Sequence, residues 1–369
     1  MALTPWVPPQ YFIQFELTVI TTEYAHWLAA MCLVLAIFSV AAKRGLSSFI
    51  LIVSMLVFST PTVQMYIHFP EWKKQMDVAF GNTLFRQPQT PNIKALWTFN
   101  VASPPEHEAF QFRSNPNLTM DFYRARNSEP TNAVATAGKS PWILVVPGGG
   151  WTKVSVAPQA QFNSYFASRG YSVAVVPYRV LPEWPWPAQR DDVTSAITYI
   201  KAHAGELGID PTRWVILGRS AGGQIASVIA YDNPPDGLRG GIFFYSPVDM
   251  NYAYEFARED DILKTGSLLR SFMNGKPSAP GAFYDQASAI RFVNPHTIPT
   301  LLFHGPRDPL VWYLQSERLY NKLTENSVQA AFISIPWATH AFDFNFFGPG
   351  GQVSTYAIER FIGEVLKPK

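Results

Sequence analysis

Cysteine is almost missing from this chain. Cys32 is the only one, so no internal disulfide forms and the fold rests on its core alone. A lone cysteine suits cytosol and bacterial periplasm equally and leaves the compartment open. Charge is also scarce. Asp, Glu, Lys and Arg make up 15% of the 369 residues, against about 25% in ordinary soluble domains. The net charge of +2 comes without a basic tract, so nucleic acid binding has no electrostatic footprint. The first 26 residues hold no Lys or Arg, and a cleaved signal peptide, which opens with positive charge, is a poor fit. No repeat, low-complexity tract, dinucleotide-binding fingerprint or metal-ligand cluster is visible, and neither cofactor nor metal is expected.

Two apolar runs are present instead. Residues 24–42 and 46–67 carry no formal charge and flank Lys43-Arg44-Gly45. Each approaches the roughly 20 residues needed to cross a bilayer core, and the short Gly-containing connection suits an antiparallel helical hairpin. Tyr24, Trp27, Tyr66 and Trp72 fall where interfacial aromatic belts would lie. We therefore expect a membrane region over residues 1–70 and two transmembrane helices, with the bilayer as a partner. Lys43 and Arg44 in the tight loop favour that loop as cytoplasmic and the bulk of the chain as extracytoplasmic, although Lys73 and Lys74 vote the other way. Residues 71–110, with Pro88, Pro91, Pro104 and Pro105, read as an extended linker, with a strand at 95–101. Strands at 110–113 and 119–124 begin the next domain, over residues 111–369.

The chemistry is concentrated in Gly218-Arg219-Ser220-Ala221-Gly222-Gly223. A lone G-x-S-x-G arises by chance, but here an apolar run, residues 214–217, leads in and an Ala-rich helical pattern, 224–231, leads out. A serine at such a tight strand-to-helix turn is lifted clear of the sheet, and its glycines let the backbone bend. The helix start also aims free N–H groups and the positive end of its dipole toward any oxyanion formed there. A second apolar run, residues 142–146, enters Pro147-Gly148-Gly149-Gly150-Trp151. Acyl transfer needs donors for a developing oxyanion, and the N–H groups of Gly149, Gly150 and Ala221 are candidates for a three-donor hole.

An acid and a base follow. Residues 299–303 read as a buried strand ending in His304-Gly305-Pro306-Arg307-Asp308, which puts Asp308 on a loop at the strand's C-terminal edge. Residues 331–335 read as the next strand, with His340 on the loop after it. Ser220, Asp308 and His340 thus appear in the chain order of a nucleophile-elbow triad. Among seven histidines, His304 is the nearest rival to His340, but its place before Asp308 suits a loop carbonyl better. Asp343 is the reserve acid. Asp191 and Asp192, in the first turn of a helix with apolar positions at Val193, Ala196, Ile197 and Ile200, read as structural.

PGGGW at 147–151, YRVLPEWPWPAQRDDV at 178–193, GIDPTRWVILGRSAGGQIA at 208–226, HGPRDPLV at 304–311 and THAFD at 339–343 together resemble the α/β-hydrolase superfamily. Within it the chain is similar to hormone-sensitive-lipase-like esterases and the related feruloyl and acetyl-xylan esterase-like group. The resemblance implies an α/β fold with a mostly parallel eight-stranded sheet flanked by helices, here preceded by two transmembrane helices. It also implies a serine hydrolase acting on carboxylic esters, with Ser220, Asp308 and His340 as triad and Gly149, Gly150 and Ala221 as oxyanion hole. Two positions depart from the pattern. Pro147 stands where the oxyanion loop usually begins with His, so other groups must order that loop. Arg219 stands where an acidic residue usually precedes the nucleophile.

Trp151, Trp184, Trp186 and Trp337 are candidate pocket walls, and the aromatic, charged stretch 250–285 is expected to overhang the site and shape substrate choice. The expected substrate is a short-acyl or aryl ester, with a lipid or glycan ester also open. A peptidase or acyltransferase on the same fold is the alternative, and a non-catalytic membrane binding protein a remote one. Nothing in the sequence specifies an oligomeric state.

Overall fold

Strands that are apolar at every position need cover on both faces, and the central strands find it. The computed structural model describes residues 11–81, 88–98, 106–126, 139–154, 159–277 and 283–367. Its eight strands are β1 (Glu108–Arg113), β2 (Leu118–Tyr123), β3 (Ser140–Val146), β4 (Ser172–Val175), β5 (Ile209–Arg219), β6 (Leu238–Phe244), β7 (Thr300–His304) and β8 (Ala330–Ser334). They form one sheet in the order β1-β2-β4-β3-β5-β6-β7-β8. β2 pairs antiparallel with β1 and β4, and the other neighbours run parallel. β3, β4 and β7 are buried throughout.

Helices cover both faces. The chain threads α1 (Phe12–Glu23), α2 (Ala25–Ala41), α3 (Gly45–Phe80) and α4 (Ile93–Leu96) before the sheet. Between strands lie α5 (Ala160–Ser168), α6 (Ala188–Ala202), α7 (Ala204–Leu207), α8 (Ala221–Tyr231), α9 (Met250–Glu255), α10 (Thr265–Phe272), α11 (Phe283–Gln286) and α12 (Leu314–Glu325). α13 (Pro349–Val365) closes the chain. One core joins α6, α8 and α12 to the sheet through Val193, Ile197, Ile225 and Leu319. The other joins α3, α5 and α13 through Trp72, Met76, Phe166, Phe361 and Ile362. The helical spacing read in α6 holds: its four apolar positions are buried. Asp192, also fully buried, accepts from Arg179 Nε at 2.8 Å and Arg113 Nη1 at 2.9 Å, a structural anchor.

Strand register sets the level of the site. Val146 pairs with Gly218, Arg219 with Phe244, Phe244 with Phe303 and His304 with Ser334. The C-terminal ends of β3, β5, β6, β7 and β8 therefore stand side by side, at the edge where open α/β sheets place ligands.

The N-terminal region departs from expectation. α2 and the first half of α3 occupy the two apolar runs, and Ala25, Ala29, Cys32 and Phe58 pack between them. Small side chains let such helices approach closely. Among the described residues, α3 is the one helix long and apolar enough to cross a membrane; α2, at 17 residues, joins α1 only across a bend of 76°. α3 also runs past residue 70 to Phe80, so residues 71–80 are helical, not extended. The prolines that suggested a linker lie beyond that point, while Trp72, Met76 and Phe80 bury in the core beside the sheet and Lys73 pairs with Asp77 one turn on. A boundary at residue 70 would cut this helix. Ala95 and Leu96 belong to α4, not to a strand, and residues 99–105 lie outside the described set.

Candidate active site

Ser220 sits between β5 and α8 with φ 52° and ψ −123°, a backbone region that costs energy and recurs where a side chain must be held in place. The turn closes only because Gly222 lacks a side chain: a Cβ there would come within 2.2 Å of Val146 O and 2.3 Å of Pro147 O. Ser220 Oγ lies 2.8 Å from His340 Nε2, and His340 Nδ1 lies 2.7 Å from Asp308 Oδ2. The three residues separated along the chain are thus joined by one line of hydrogen bonds. The His340 ring lies 4.3 Å from that of Tyr245 and 6.4 Å from that of Phe15 on α1.

Asp308 is fully buried and fully partnered. Its Oδ1 accepts the N–H groups of Leu310 and Val311 at 2.8 and 2.9 Å. Its Oδ2 also faces His304 Nε2 at 3.1 Å. Burial pushes the carboxyl up, but the imidazoles of His340 and His304 outweigh it and hold the acid well below its ordinary value. His304 Nε2 faces two acceptors, Asp308 and Val311 O, while Nδ1 meets Ser316 Oγ at 2.8 Å. That places the proton on Nε2. The loop carbonyl expected for His304 is present, and its second contact, a further donor to Asp308, escaped sequence reasoning because the two residues are joined only by the turn after β7.

The carboxylate of Asp343 is engaged away from His340. It accepts from Arg219 Nε at 2.5 Å and from Tyr245 Oη at 2.6 Å. Burial, then the Asp343 charge, raises the Tyr245 phenol well above its ordinary value, so it stays a donor. Arg219 is buried with its guanidinium over Phe162 and Phe244 at 4.7 and 4.9 Å. Its charge is spent inside the domain and not on the substrate side.

The glycine loop is ordered without a histidine at position 147. Tyr178 Oη donates to Pro147 O at 2.9 Å, Lys153 N to Gly149 O at 3.2 Å and Leu181 N to Trp151 O at 2.9 Å. Gly149 has φ +138°, and a Cβ there would fall 1.9 Å from Lys153 O. No turn or loop hydrogen bond among the described residues engages the N–H of Gly149, Gly150 or Ala221. Ala221, first in α8, also lies outside the ladder of its own helix. Gly150, Ala221 and Ser220 line one cavity of about 660 Å³.

Of the four tryptophans proposed as walls, Trp151 lines that cavity, stacked on Phe272 at 4.1 Å. Trp184 lies under Arg179, Trp186 packs in the core near Phe272, and Trp337 is buried against Trp72. None of these three lines it. Aromatic residues in a proline-stiffened loop packed beneath the site, not into it. Trp312 and Tyr11 line it and were not foreseen. From the stretch 250–285, Tyr252, Phe256, Leu263 and Leu268 are among the residues that line the cavity. Among the described residues no cluster of His, Cys, Asp and Glu is arranged to hold a metal.

Residues 130–323 match the BD-FAE family. Among curated relatives, the probable carboxylic ester hydrolase LipM of Mycobacterium tuberculosis is 29% identical over 245 residues, 62% of this chain and 55% of that one. Esterase LipQ of the same organism is 26% identical over 223 residues, 57% and 52% respectively. This chain spans about half the length of those relatives. Thermogutta terrifontis esterase 2, solved phosphonylated by sarin, superposes with a TM-score of 0.59 at 21% identity, over 74% of this chain and all of that one. A truncated carbohydrate esterase from gut microbiota gives 0.54 at 19% identity, over 70% and 99%. At such identities the structures establish the fold, that of α/β-hydrolases.

Proposed function

The chain belongs to the BD-FAE family, and from that premise we propose that it is a membrane-anchored serine hydrolase of carboxylic esters. The observation that carries this reading is the unbroken line from Ser220 Oγ through His340 to Asp308 at the wall of a cavity. Ester hydrolases among the relatives support it.

In this reading Ser220 Oγ attacks the ester carbonyl carbon while its proton passes to His340 Nε2. The carbonyl oxygen becomes an oxyanion facing the N–H groups of Gly149, Gly150 and Ala221; one such donor is worth about 3 to 4 kcal/mol in the transition state. The ester C–O bond breaks and the leaving alkoxide takes the proton from His340. Water then gives a proton to His340 and attacks the acyl carbon, and Ser220 Oγ departs with that proton. Asp308 keeps the His340 tautomer with Nε2 free to accept. The cavity, at about 660 Å³, lies in the range of sites that take drug-sized ligands and offers more room than an acetyl ester needs. The anchor is the α2–α3 hairpin, whose Phe38, Leu46 and Phe49 face outward.

A ladder of p-nitrophenyl esters from two-carbon to sixteen-carbon acyl chains tests this with the full chain in detergent. Turnover that falls by about 10⁶ in Ser220→Ala agrees with the reading. Turnover indifferent to Ser220 removes it.

A further inference from the structure

Helix α1 has one face in the catalytic domain and one in the surroundings. On the inner face Phe15, Val19 and Glu23 are buried. Glu23 Oε2 accepts the Gly350 N–H at 3.1 Å, and Asn345 Nδ2 donates to Glu23 O at 3.1 Å. Phe15 approaches His340, Phe12 lies under the Lys153 ammonium at 5.6 Å, and Tyr11 lines the Ser220 cavity. The helix therefore crosses from the His340 loop to the glycine loop and closes one side of the site. On the outer face Ile13 and Ile20 are 61% and 48% exposed. Seven residues apart, they share one stripe.

The bend of 76° at Tyr24 ties this stripe to the hairpin. With α2 along the bilayer normal, α1 runs close to the bilayer plane, with Ile13 and Ile20 turned outward beside the exposed Glu16. At the cavity mouth Phe256 and Trp312, 39% and 46% exposed, pack on each other at 4.6 Å. Beside them stands the exposed Arg258–Asp260 ion pair. A chamber lined by aromatic and aliphatic side chains together with Arg258, Asp260 and Asp261 matches an amphiphile, its tail against the first and its polar group against the second.

We propose that the cavity takes the ester of a bilayer-resident amphiphile, and that α1 lies in the membrane interface as the wall past which this substrate reaches Ser220. The proposal rests on the ester-hydrolase reading and adds the physical phase from which the ester comes.

The test places the full chain in phosphatidylcholine vesicles and offers two esters: p-nitrophenyl acetate from water, and p-nitrophenyl palmitate dissolved in the vesicles. Ile13→Glu/Ile20→Glu charges the outer stripe without touching the cavity, and Ile13→Leu/Ile20→Leu controls for folding. The charged variant is expected to lose about ten-fold or more in kcat/KM on the vesicle-held ester while acetate turnover stays within about two-fold, and the Leu variant to keep both. Equal loss on both esters, or no loss on either, overturns the proposal. Wild-type protein that cleaves neither ester fails at the hydrolase reading itself, and the proposal falls with it.

Discussion

Two imidazoles converge on Asp308, and only one of them reaches Ser220. The second, His304, lies off the line to Ser220; with His340 and the Leu310 and Val311 N–H groups it surrounds the carboxylate. A buried carboxylate so partnered stays ionised and stays in place. Because its folded value is depressed below the ordinary 3.8, ionised Asp308 contributes stability that is fully present above that value and fades as pH falls toward the folded one. Asp308→Asn should therefore lose more unfolding free energy at pH 6 than at pH 2.5, as denaturant titration will measure. Turnover at neutral pH should drop about 10⁴-fold. An equal loss of stability at both pH values would mean that the carboxylate's charge is not what the site holds.

At the scale of elements, α1 is docked through a carboxyl whose protonated form the fold favours. Burial, with the Asp343 charge added, pushes Glu23 well above its ordinary 4.5, outweighing the Gly350 N–H and Trp337, which act the other way. A raised acid makes the folded state the better proton binder, so this carboxyl detracts from stability increasingly as pH rises above 4.5. Glu23→Gln keeps a neutral group of the same shape. It should match wild type at pH 4 and unfold at higher temperature by pH 8, in detergent with Asp343, Arg219 and Tyr245 unchanged. A variant no more stable at pH 8 would show that Glu23 is ionised in place. The close fit of Gly348 and Gly350 around this side chain, where a Cβ would lie 2.6 and 3.0 Å from its oxygens, makes the docking specific.

At the scale of the molecule, the sheet domain was largely legible and the N-terminal region only in its two apolar runs, α2 and the first half of α3. Strand ends announce themselves through apolar runs that stop at Gly or Pro, so Ser220, Asp308 and His340 were found from local pattern and chain order. Residues 11–23 show no such run. Thr18, Thr21 and Thr22 bury by donating their hydroxyls to carbonyls within the helix, which no hydropathy pattern reports. Trp184, Trp186 and Trp337 were misplaced because an aromatic side chain serves packing and pocket alike, and only the fold says which. The anchoring itself is open to a direct check. Full-length protein should sediment with membranes, resist alkaline carbonate and leave only with detergent; release by high salt would reduce the hairpin to a surface contact.

One helix, α3, begins in the outward-facing apolar hairpin and ends docked on α13, where Phe80 meets Phe361 at 5.0 Å and Arg360 pairs with Asp77. At 36 residues it is about 54 Å long, with no flexible tether between its two halves. An enzyme on a string samples a hemisphere; an enzyme on a post samples a disc. Under the proposed anchoring, its encounters are set by two-dimensional diffusion and by how many molecules occupy one thin slab above the membrane, so surface density, not bulk concentration, becomes the natural variable for its kinetics.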